Sequence, residues 1–336
     1  MSIVLIGGTG TLGRELARQL SQTSTYPITI FSRDEFKQHE MKKEFPQFNY
    51  VLGDVRDRAS LAPVMRNAET VFLLAAVKHV DAAERNPLEA LKTNCLGAVN
   101  VAEEAMEAGV DHVVYSNTDK AVLPITTYGY TKAFAQNYLL SLNVRSATNF
   151  SVFNWGNILA SRGSVIPIFV ASLLSERKIY VTDVSMSRFW MTIEAAGAFM
   201  LANFATAAKE RAMIPPLKGA KVLRIAETIA KILGINDYKV EITGHRGIEK
   251  IHEVLESTHN GCLRSDTCPQ YTDSELHYLL RPIVLNEVKQ CASISTESMV
   301  EWAEGIVQSS KALATRSTAK TSKKASVTHL KVTPSS

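Results

Sequence analysis

The chain opens on Ile3-Val4-Leu5-Ile6-Gly7-Gly8-Thr9-Gly10-Thr11-Leu12-Gly13, which leads into Arg14-Glu15-Leu16-Ala17-Arg18-Gln19-Leu20. The unbroken apolar run predicts a buried strand, and apolar residues spaced three or four apart from Leu12 to Leu20 predict a helix. The glycines therefore occupy a tight strand-to-helix turn. Gly8, Gly10 and Gly13 satisfy GxGxxG, and Gly7, Gly10 and Gly13 satisfy GxxGxxG. Such a turn lets a pyrophosphate approach the backbone and faces it with the amide groups of the helix start. A glycine cluster by itself also fits a purely structural turn, but its place between a strand and a helix favours a bound dinucleotide.

Outward from this turn, β-branched runs at Ile28–Phe31, Tyr50–Leu52, Val71–Leu74, Val113–Tyr115 and Phe150–Phe153 alternate with helical patterns. The helical stretches are Gly13–Ser21, Asp34–Glu44, Ala59–Asn67, Pro87–Ala108 and Thr127–Leu142. This alternation predicts an α/β fold with a doubly wound parallel sheet. After Asn154 the pattern changes to a loop, an apolar helix near Val165–Ser175 and mixed short elements up to about Asn286. Helix Ile193–Ala208 is expected to return to the first domain. The expected division is a dinucleotide domain of residues 1–156 with about 190–208, and a smaller substrate lobe of residues 157–189 and about 209–286.

Of 336 residues, 46% are apolar and 21% charged, a soluble globular balance, and no apolar run approaches the ~20 residues of a membrane span. The N-terminal run lacks the basic opening and small-residue cleavage site of an export signal, so cytoplasm is the expectation. Net charge is +4, yet residues 310–336 hold six Lys and Arg and no acid, leaving the body at −2. Nucleic acid is therefore not an expected partner, and the tail reads as disordered. Cys95, Cys262, Cys268 and Cys291 form no CxxC pair and have no His at zinc spacing, which argues against disulfides and a bound metal.

A site for NAD places an acid about 20 residues past the glycines, on the ribose hydroxyls. That position is Arg33, inside Ser32-Arg33-Asp34-Glu35-Phe36-Lys37. Arg33 and Lys37 can neutralise a 2′-phosphate and Ser32 can donate to it, which favours NADP over NAD. Asp34 also suits a helix cap, and Lys37 a solvated helix face. Asp54-Val55, after the third strand, is placed to flank the adenine or simply to turn the chain.

Tyr128 and Lys132 stand at i and i+4 on one helix face in Tyr128-Gly129-Tyr130-Thr131-Lys132. An ammonium near a phenol is expected to lower its pKa, so that the tyrosine can exchange a proton with a sugar hydroxyl during hydride transfer. Upstream, Asn117-Thr118-Asp119-Lys120 closes the strand Val113–Tyr115. In isolation this is a surface turn with two solvated charges. At the C-terminal edge of a parallel strand it faces the crevice where such sheets bind ligands.

At this point the chain resembles the extended short-chain dehydrogenase/reductases, and within them the soluble UDP-N-acetylglucosamine 4,6-dehydratases of the polysaccharide-biosynthesis group. The matching segments run in the family's order over most of residues 3 to about 255: GGTGTLG, FSRDEFKQ, GDVRD, AAVKHVDAAERNPLEALKTNCLGAVNV, NTDKAVLPITTYGYTK, WGNILASRGSVIP, MSRFWMT and HRGIEKIHE. The resemblance implies a Rossmann domain and a redox cycle that leaves the cofactor unchanged overall. Carbon 4 of the hexose is oxidised, water leaves across carbons 5 and 6, and the hydride returns to carbon 6.

By the same resemblance, Tyr128 is the base for the carbon 4 hydroxyl and Lys132 its modulator and ribose ligand. Asp119 protonates the leaving hydroxyl, Lys120 handles the carbon 5 proton, and Thr118 sits near the reacting oxygen. Implied cofactor contacts are Thr9, Gly10, Thr11, Leu12, Ser32, Arg33, Asp34, Lys37, Asp54, Val55, Leu74 with the following Ala75 and Ala76, Lys78, Tyr128, Lys132, Ile158 and Arg162. For the UDP-sugar they are Lys78, Asn157, Val165, Thr182, Arg246 and Glu249, with Arg188 a weaker nominee. Each residue of the lobe also fits an ordinary surface ion pair.

Three positions depart from the family pattern. Asn117 replaces the Ser of STDK, Asn154 replaces the arginine common before the aromatic-GN motif, and RPGEK reads Arg246-Gly247-Ile248-Glu249-Lys250. They leave the exact sugar and the configuration at carbon 5 open. A 4-epimerase or reductase would need Tyr128 and Lys132 without Asp119 and Lys120, and a non-enzymatic NADP sensor would need neither pair. The stretches Pro87–Ala108 and Thr127–Leu142 carry apolar stripes that fit a homo-oligomer, a dimer or larger, and fit core packing equally.

Overall fold

The computed structural model describes residues 2–159, 161, 164–244, 247–257 and 261–292. The expected contacts Arg162 and Arg246 and the basic tail 310–336 lie outside the described residues. The chain divides into two compact units, one of Met1–Ser164, Ser187–Lys221 and His252–Glu275, the other of Val165–Met186, Val222–Ile251 and the chain from Leu276 onward. Segments 157–164, 187–189, 209–221 and 252–275 thus group with the first unit.

The first unit is built on a six-stranded sheet of β1 (Ile3–Ile6), β2 (Ile28–Ser32), β3 (Asn49–Leu52), β4 (Thr70–Leu73), β5 (His112–Ser116) and β6 (Asn149–Phe153), in the order β3-β2-β1-β4-β5-β6. All five pairings are parallel. The reversal of strand order falls between β1 and β4, where open α/β sheets bind ligands. The central strands are almost wholly apolar and, apart from their ends, buried, as a sheet covered on both faces requires: Val4, Leu5, Ile6, Val71 and Val113 have essentially no exposure. Helix α1 (Thr11–Thr23) covers it with Leu16, Ala17 and Leu20, each worth about 1.5–3 kcal/mol if a full-sized aliphatic.

Helices α2 (Glu35–Glu44) and α3 (Arg58–Met65) connect the strands that follow. Between β4 and β5 lie α4 (Val80–Arg85), α5 (Pro87–Ala90), a π-helical stretch Leu91–Leu96 and α6 (Gly97–Ala108). The expected single helix Pro87–Ala108 is therefore interrupted. The wide turn carries Asn94 inward, where its amide accepts from the Val77 N–H at 2.8 Å and donates to Val77 O at 3.1 Å and Thr131 Oγ1 at 3.0 Å. Helix α7 (Thr127–Leu142) follows β5, capped by Thr126, whose hydroxyl accepts from the Gly129 N–H.

After β6, the strand β7 (Asn157–Ile158) leaves the first unit's main sheet. The second unit contains α8 (Val165–Glu176) and β8 (Lys178–Val181). The chain re-enters the first unit with β9 (Ser187–Met191), α9 (Ile193–Asn203) and β10 (Lys218–Lys221), and β10-β9-β7 form a small sheet. In the second unit α10 (Val222–Ile232) buries Ile225, Ala226 and Ile229, and β11 (Lys239–Ile242) pairs parallel with β8. The hairpin of β12 (Val254–Ser257) and β13 (Gly261–Arg264) belongs to the first unit, and α11 (Asp273–Ala292) runs for 20 residues.

Helices α10 and α11 replace the mixed short elements expected up to Asn286. Pro282 sits inside α11 and reads in sequence as a breaker. Helix α9 stops at Asn203 in a 3-10 turn, short of the expected Ala208. No helix among the described residues is long and apolar enough to cross a membrane.

Candidate active site

At the glycine turn, Gly7 has φ +79, and a Cβ there would stand 2.6 Å from the backbone N of Ala75, so no other residue fits. Gly10 begins α1 with no side-chain cap, and no acid lies in the first helical turn. The leading amides are left for an anion. Thr9 is buried beside them, and Leu74 donates its N–H to Ile6 O at 2.8 Å. These features fit a pyrophosphate cradle.

At the end of β2, Ser32 is buried and its hydroxyl accepts from the Gln38 amide at 3.1 Å. Asp34 caps α2, accepting the Lys37 N–H at 3.0 Å, and also pairs with the Lys37 ammonium. Arg33 projects outward at 61% exposure, 3.7 Å from Asp54 Oδ2. It is the more open of the two cations expected at a 2′-phosphate. Asp54 is gripped by Arg56 at 2.6 and 3.0 Å, which lowers its pKa through those hydrogen bonds despite partial burial. Val55 is buried, its carbonyl taking the Asn100 amide at 2.9 Å.

The catalytic nominees meet beyond the C-terminal end of β5. Backbone pairing with the β6 side continues past the sheet: Asn117 N–H donates to Phe153 O at 2.8 Å and Asp119 N–H to Trp155 O at 2.8 Å. That continuation seats the 3-10 turn Asp119–Ala121, capped by Thr118. Helix α7 packs so closely on the turn that a Cβ at Gly129 would fall 2.5 Å from Lys120 O. Thr118, Asp119, Tyr128 and Lys132 are all buried, and the nearby Thr118 hydroxyl favours the charged form of Tyr128.

Lys120 Nζ lies 3.0 Å from Asp119 Oδ1, 3.2 Å from Asn157 Oδ1 and 3.3 Å from Glu253 Oε1. Burial draws its pKa down, but the charges of Asp119 and Glu253 outweigh that and hold it above the ordinary lysine value. Burial raises the pKa of Asp119, and Glu253 adds to the rise. Asp119 Oδ1 also accepts from Thr118 Oγ1 at 3.0 Å, while Oδ2 is buried without a hydrogen-bond partner among the described residues. One carboxylate oxygen is thus left to carry a proton.

Lys132 is in the opposite situation. Its ammonium donates to Ser116 O at 2.6 Å and lies 3.9 Å from the centre of the Tyr115 ring, and burial pushes its pKa down to about 7. The expectation that Lys132 lowers the Tyr128 pKa is corrected here. Burial pushes the phenol up to about 12, and the cation that opposes the rise is Lys120.

The sugar nominees fall into separate sets. In the first unit Asn157 touches Lys120, Lys78 is exposed after β4, and Ile158 is partly buried in β7. Arg188 is 5% exposed, donating to Ser187 O at 2.7 Å with Nε 3.8 Å from Glu253 Oε1. In the second unit Val165 opens α8, and Thr182 donates to Glu249 Oε2 at 3.2 Å. Sequence reasoning missed Glu253 and Asn94. Both lie inside segments that carry the resemblance, Glu253 as the last residue of HRGIEKIHE and Asn94 as a polar residue in an apolar helical stretch. Two departures from the family pattern also meet, the Asn117 amide donating to Asn154 Oδ1 at 2.8 Å and to Gln136 Oε1 at 2.7 Å. Among the described residues no group of three or more His, Cys, Asp or Glu could hold a metal ion.

The polysaccharide biosynthesis protein family matches residues 3–272. The chain is 37% identical over 265 residues to a UDP-N-acetylglucosamine 4,6-dehydratase (inverting) of Campylobacter jejuni, covering 76% of this chain and 78% of that protein. It is 33% identical over 266 residues to a UDP-glucose 4-epimerase of Rickettsia bellii, covering 76% and 78% respectively. Among solved structures it is similar to Pen from Bacillus thuringiensis, with TM-score 0.76 and 30% sequence identity over 83% of this chain and 96% of that one.

Proposed function

Since the chain belongs to the polysaccharide biosynthesis protein family, we propose that it is a nucleotide-sugar dehydratase acting on UDP-N-acetylglucosamine to give a UDP-4-keto-6-deoxy-hexosamine. The observation that carries this reading is the pair of buried Asp119 and half-buried Lys120 packed against Tyr128, an acid and an amine where simple carbonyl redox chemistry needs neither. The 37% identity to the Campylobacter enzyme supports it.

The glycine turn, Ser32 and Arg33 suit NADP, with Asp54 and Val55 beside the adenine. Bound, its nicotinamide accepts and returns a hydride. The protein's own work is proton handling and restraint. Tyr128 takes the proton of the carbon 4 hydroxyl with the Thr118 hydroxyl close by, and Lys132 anchors the helix to Ser116 O. The keto group then acidifies the proton on carbon 5. Lys120 removes it while Asp119 protonates the hydroxyl leaving carbon 6, since hydroxide leaves poorly without a proton. Asn157, beside Lys120, is assigned to the UDP-sugar.

The competing reading is a 4-epimerase, which the 33% identity to the Rickettsia protein favours. Mass spectrometry and proton NMR after incubation with UDP-N-acetylglucosamine separate the two. A product lighter by one water is expected, and its carbon 5 couplings read retention or inversion. Unchanged mass with an inverted centre at carbon 4 would establish the epimerase instead.

The assembly is assigned as a homo-oligomer. Tyr130 and Phe134 on α7, and Leu88, Leu91 and Leu96 on the elements packed against it, are exposed apolar side chains. Phe134→Glu is expected to shift the sedimentation of the purified protein toward the monomer, and an unchanged profile would remove that surface as the interface.

A further inference from the structure

Glu253 carries none of the assigned steps, yet it is 2% exposed and its carboxylate stands 3.3 Å from Lys120 Nζ and 3.8 Å from Arg188 Nε. Burying a carboxylate is costly unless it is paired, so the site has a built-in reason to hold both cations. Its backbone is pinned on both sides by Ser265: the Glu253 N–H donates to Ser265 Oγ at 3.0 Å, and the Ser265 N–H to Glu253 O at 2.9 Å. Ser187 and His252 form a parallel bridge, which sets the next residues of each strand, Arg188 and Glu253, side by side.

An ammonium has three N–H bonds and no lone pair. Asp119, Asn157 and Glu253 place three oxygens within 3.3 Å of Lys120 Nζ, so the resting amine is fully engaged and has nothing left with which to remove a proton. It becomes a base only by giving a proton to a neighbour.

We propose that Glu253 is a positioning residue of the elimination: its carboxylate, held by Arg188, seats the Lys120 amine and governs where Lys120 and Asp119 together keep their protons. This rests on the reading of Asp119 and Lys120 as the elimination pair. A proton moves from Lys120 Nζ to Asp119, breaking an N–H bond and forming an O–H bond. That one transfer makes both the amine base and the carboxylic acid. The amine then takes the carbon 5 proton, the electron pair of that C–H bond forms the carbon 5 to carbon 6 double bond, and the C–O electrons leave with the Asp119 proton as water. The ammonium and carboxylate are restored, and Glu253 stays ionised throughout against Arg188.

The negative charge of Glu253 raises the proton affinity of both Asp119 and Lys120. The other charged or titratable groups around the pair are Arg188 on β9, Tyr128 on α7, and His252 with its neighbour Asp266 at 3.6 Å.

The test is the pH profile of product formation from UDP-N-acetylglucosamine in Glu253→Gln, with the absorbance of reduced nicotinamide following carbon 4 oxidation. Expected are an elimination rate about 10-fold to 100-fold lower, both limbs displaced to lower pH by about one unit, and carbon 4 oxidation within about threefold of wild type. Glu253→Asp, which keeps the charge, is expected to return the limbs to their wild-type positions. Arg188→Gln removes the opposing charge and is expected to move both limbs to higher pH, which keeps the inference open to refutation if Glu253→Gln does not fold. Loss of amplitude with unmoved limbs in these variants, in a wild type that dehydrates the sugar, would overturn the role of Glu253 alone. A wild type that removes no water would overturn the dehydratase reading and this inference with it.

Discussion

The turn Asp119–Ala121 and helix α7 each hold a lysine close to the C-terminal end of β5, and they surround it in opposite ways. Lys120 has two carboxylates and an amide oxygen within 3.3 Å. Lys132 has a backbone carbonyl and the face of an aromatic ring. Burial penalises both ammonium groups, and only the first has anions to offset it, so Lys120 is held charged while Lys132 falls to about 7. Lys120 is also the more exposed of the two, so its anions and its shallower seat both favour the charged amine. Under the proposed function this arrangement divides the chemistry: proton storage for elimination is assigned to the turn, and α7 is assigned the redox tyrosine, with a weakly basic lysine as its neighbour.

The strongest way to break this comparison is to remove one lysine at a time. Lys120→Ala or Asp119→Asn is expected to lower water loss by about 10³-fold or more while NADP binding and carbon 4 oxidation persist. Wild-type turnover in both variants would remove their assignment, and equal loss of both half-reactions would erase the division.

Lys132→Met is expected to depress carbon 4 oxidation itself, by about 10²-fold. It is also expected to stabilise the ligand-free protein. The ordinary lysine value is 10.5 and the folded value about 7, so the unfolded chain binds more protons between them. Wild-type stability therefore rises with pH across that window. The penalty is full below pH 7, and the Met variant's advantage, a few degrees in Tm, fades as pH approaches 10.5. Thermal unfolding across that range checks it, and a Tm difference that does not vary with pH would contradict the assigned environment.

Much of this comparison was legible in the sequence. The bounds of α7 emerge as read, because Thr126 caps its start and the apolar spacing runs unbroken. The glycine turn and the strand alternation likewise dictate the sheet. The seat of Lys120 was not legible. Glu253 and Arg188 are far apart in the chain, and their encounter depends on the register of a single bridge, Ser187 with His252, which no local pattern encodes. The π-helical stretch that turns Asn94 inward is similarly invisible, since the heptad-like apolar spacing continues through it. Helix α11 was hidden by Pro282, whereas α10 shows the ordinary amphipathic spacing and its signal was present.

A finer contrast concerns the two cations after β2. Arg33 is open to solvent, while Lys37 is engaged by Asp34. Arg33→Asp is expected to weaken NADP about tenfold more than NAD, measured by titration of nicotinamide binding. Equal changes for the two dinucleotides would count against a phosphate contact. The smallest effect is expected at Asn117. Asn117→Ser restores the family residue but deletes two side-chain hydrogen bonds, to Asn154 and Gln136, and should cost about 1 kcal/mol in denaturant unfolding with little change in rate.

The dehydratase reading, on which the division between the two lysines rests, stands or falls with the path of one hydrogen. UDP-N-acetylglucosamine carrying deuterium on carbon 4, converted by the purified protein and read by NMR, is predicted to give a water-depleted product with the label in its carbon 6 methyl group. A product of unchanged mass with the label still on carbon 4 would contradict the account.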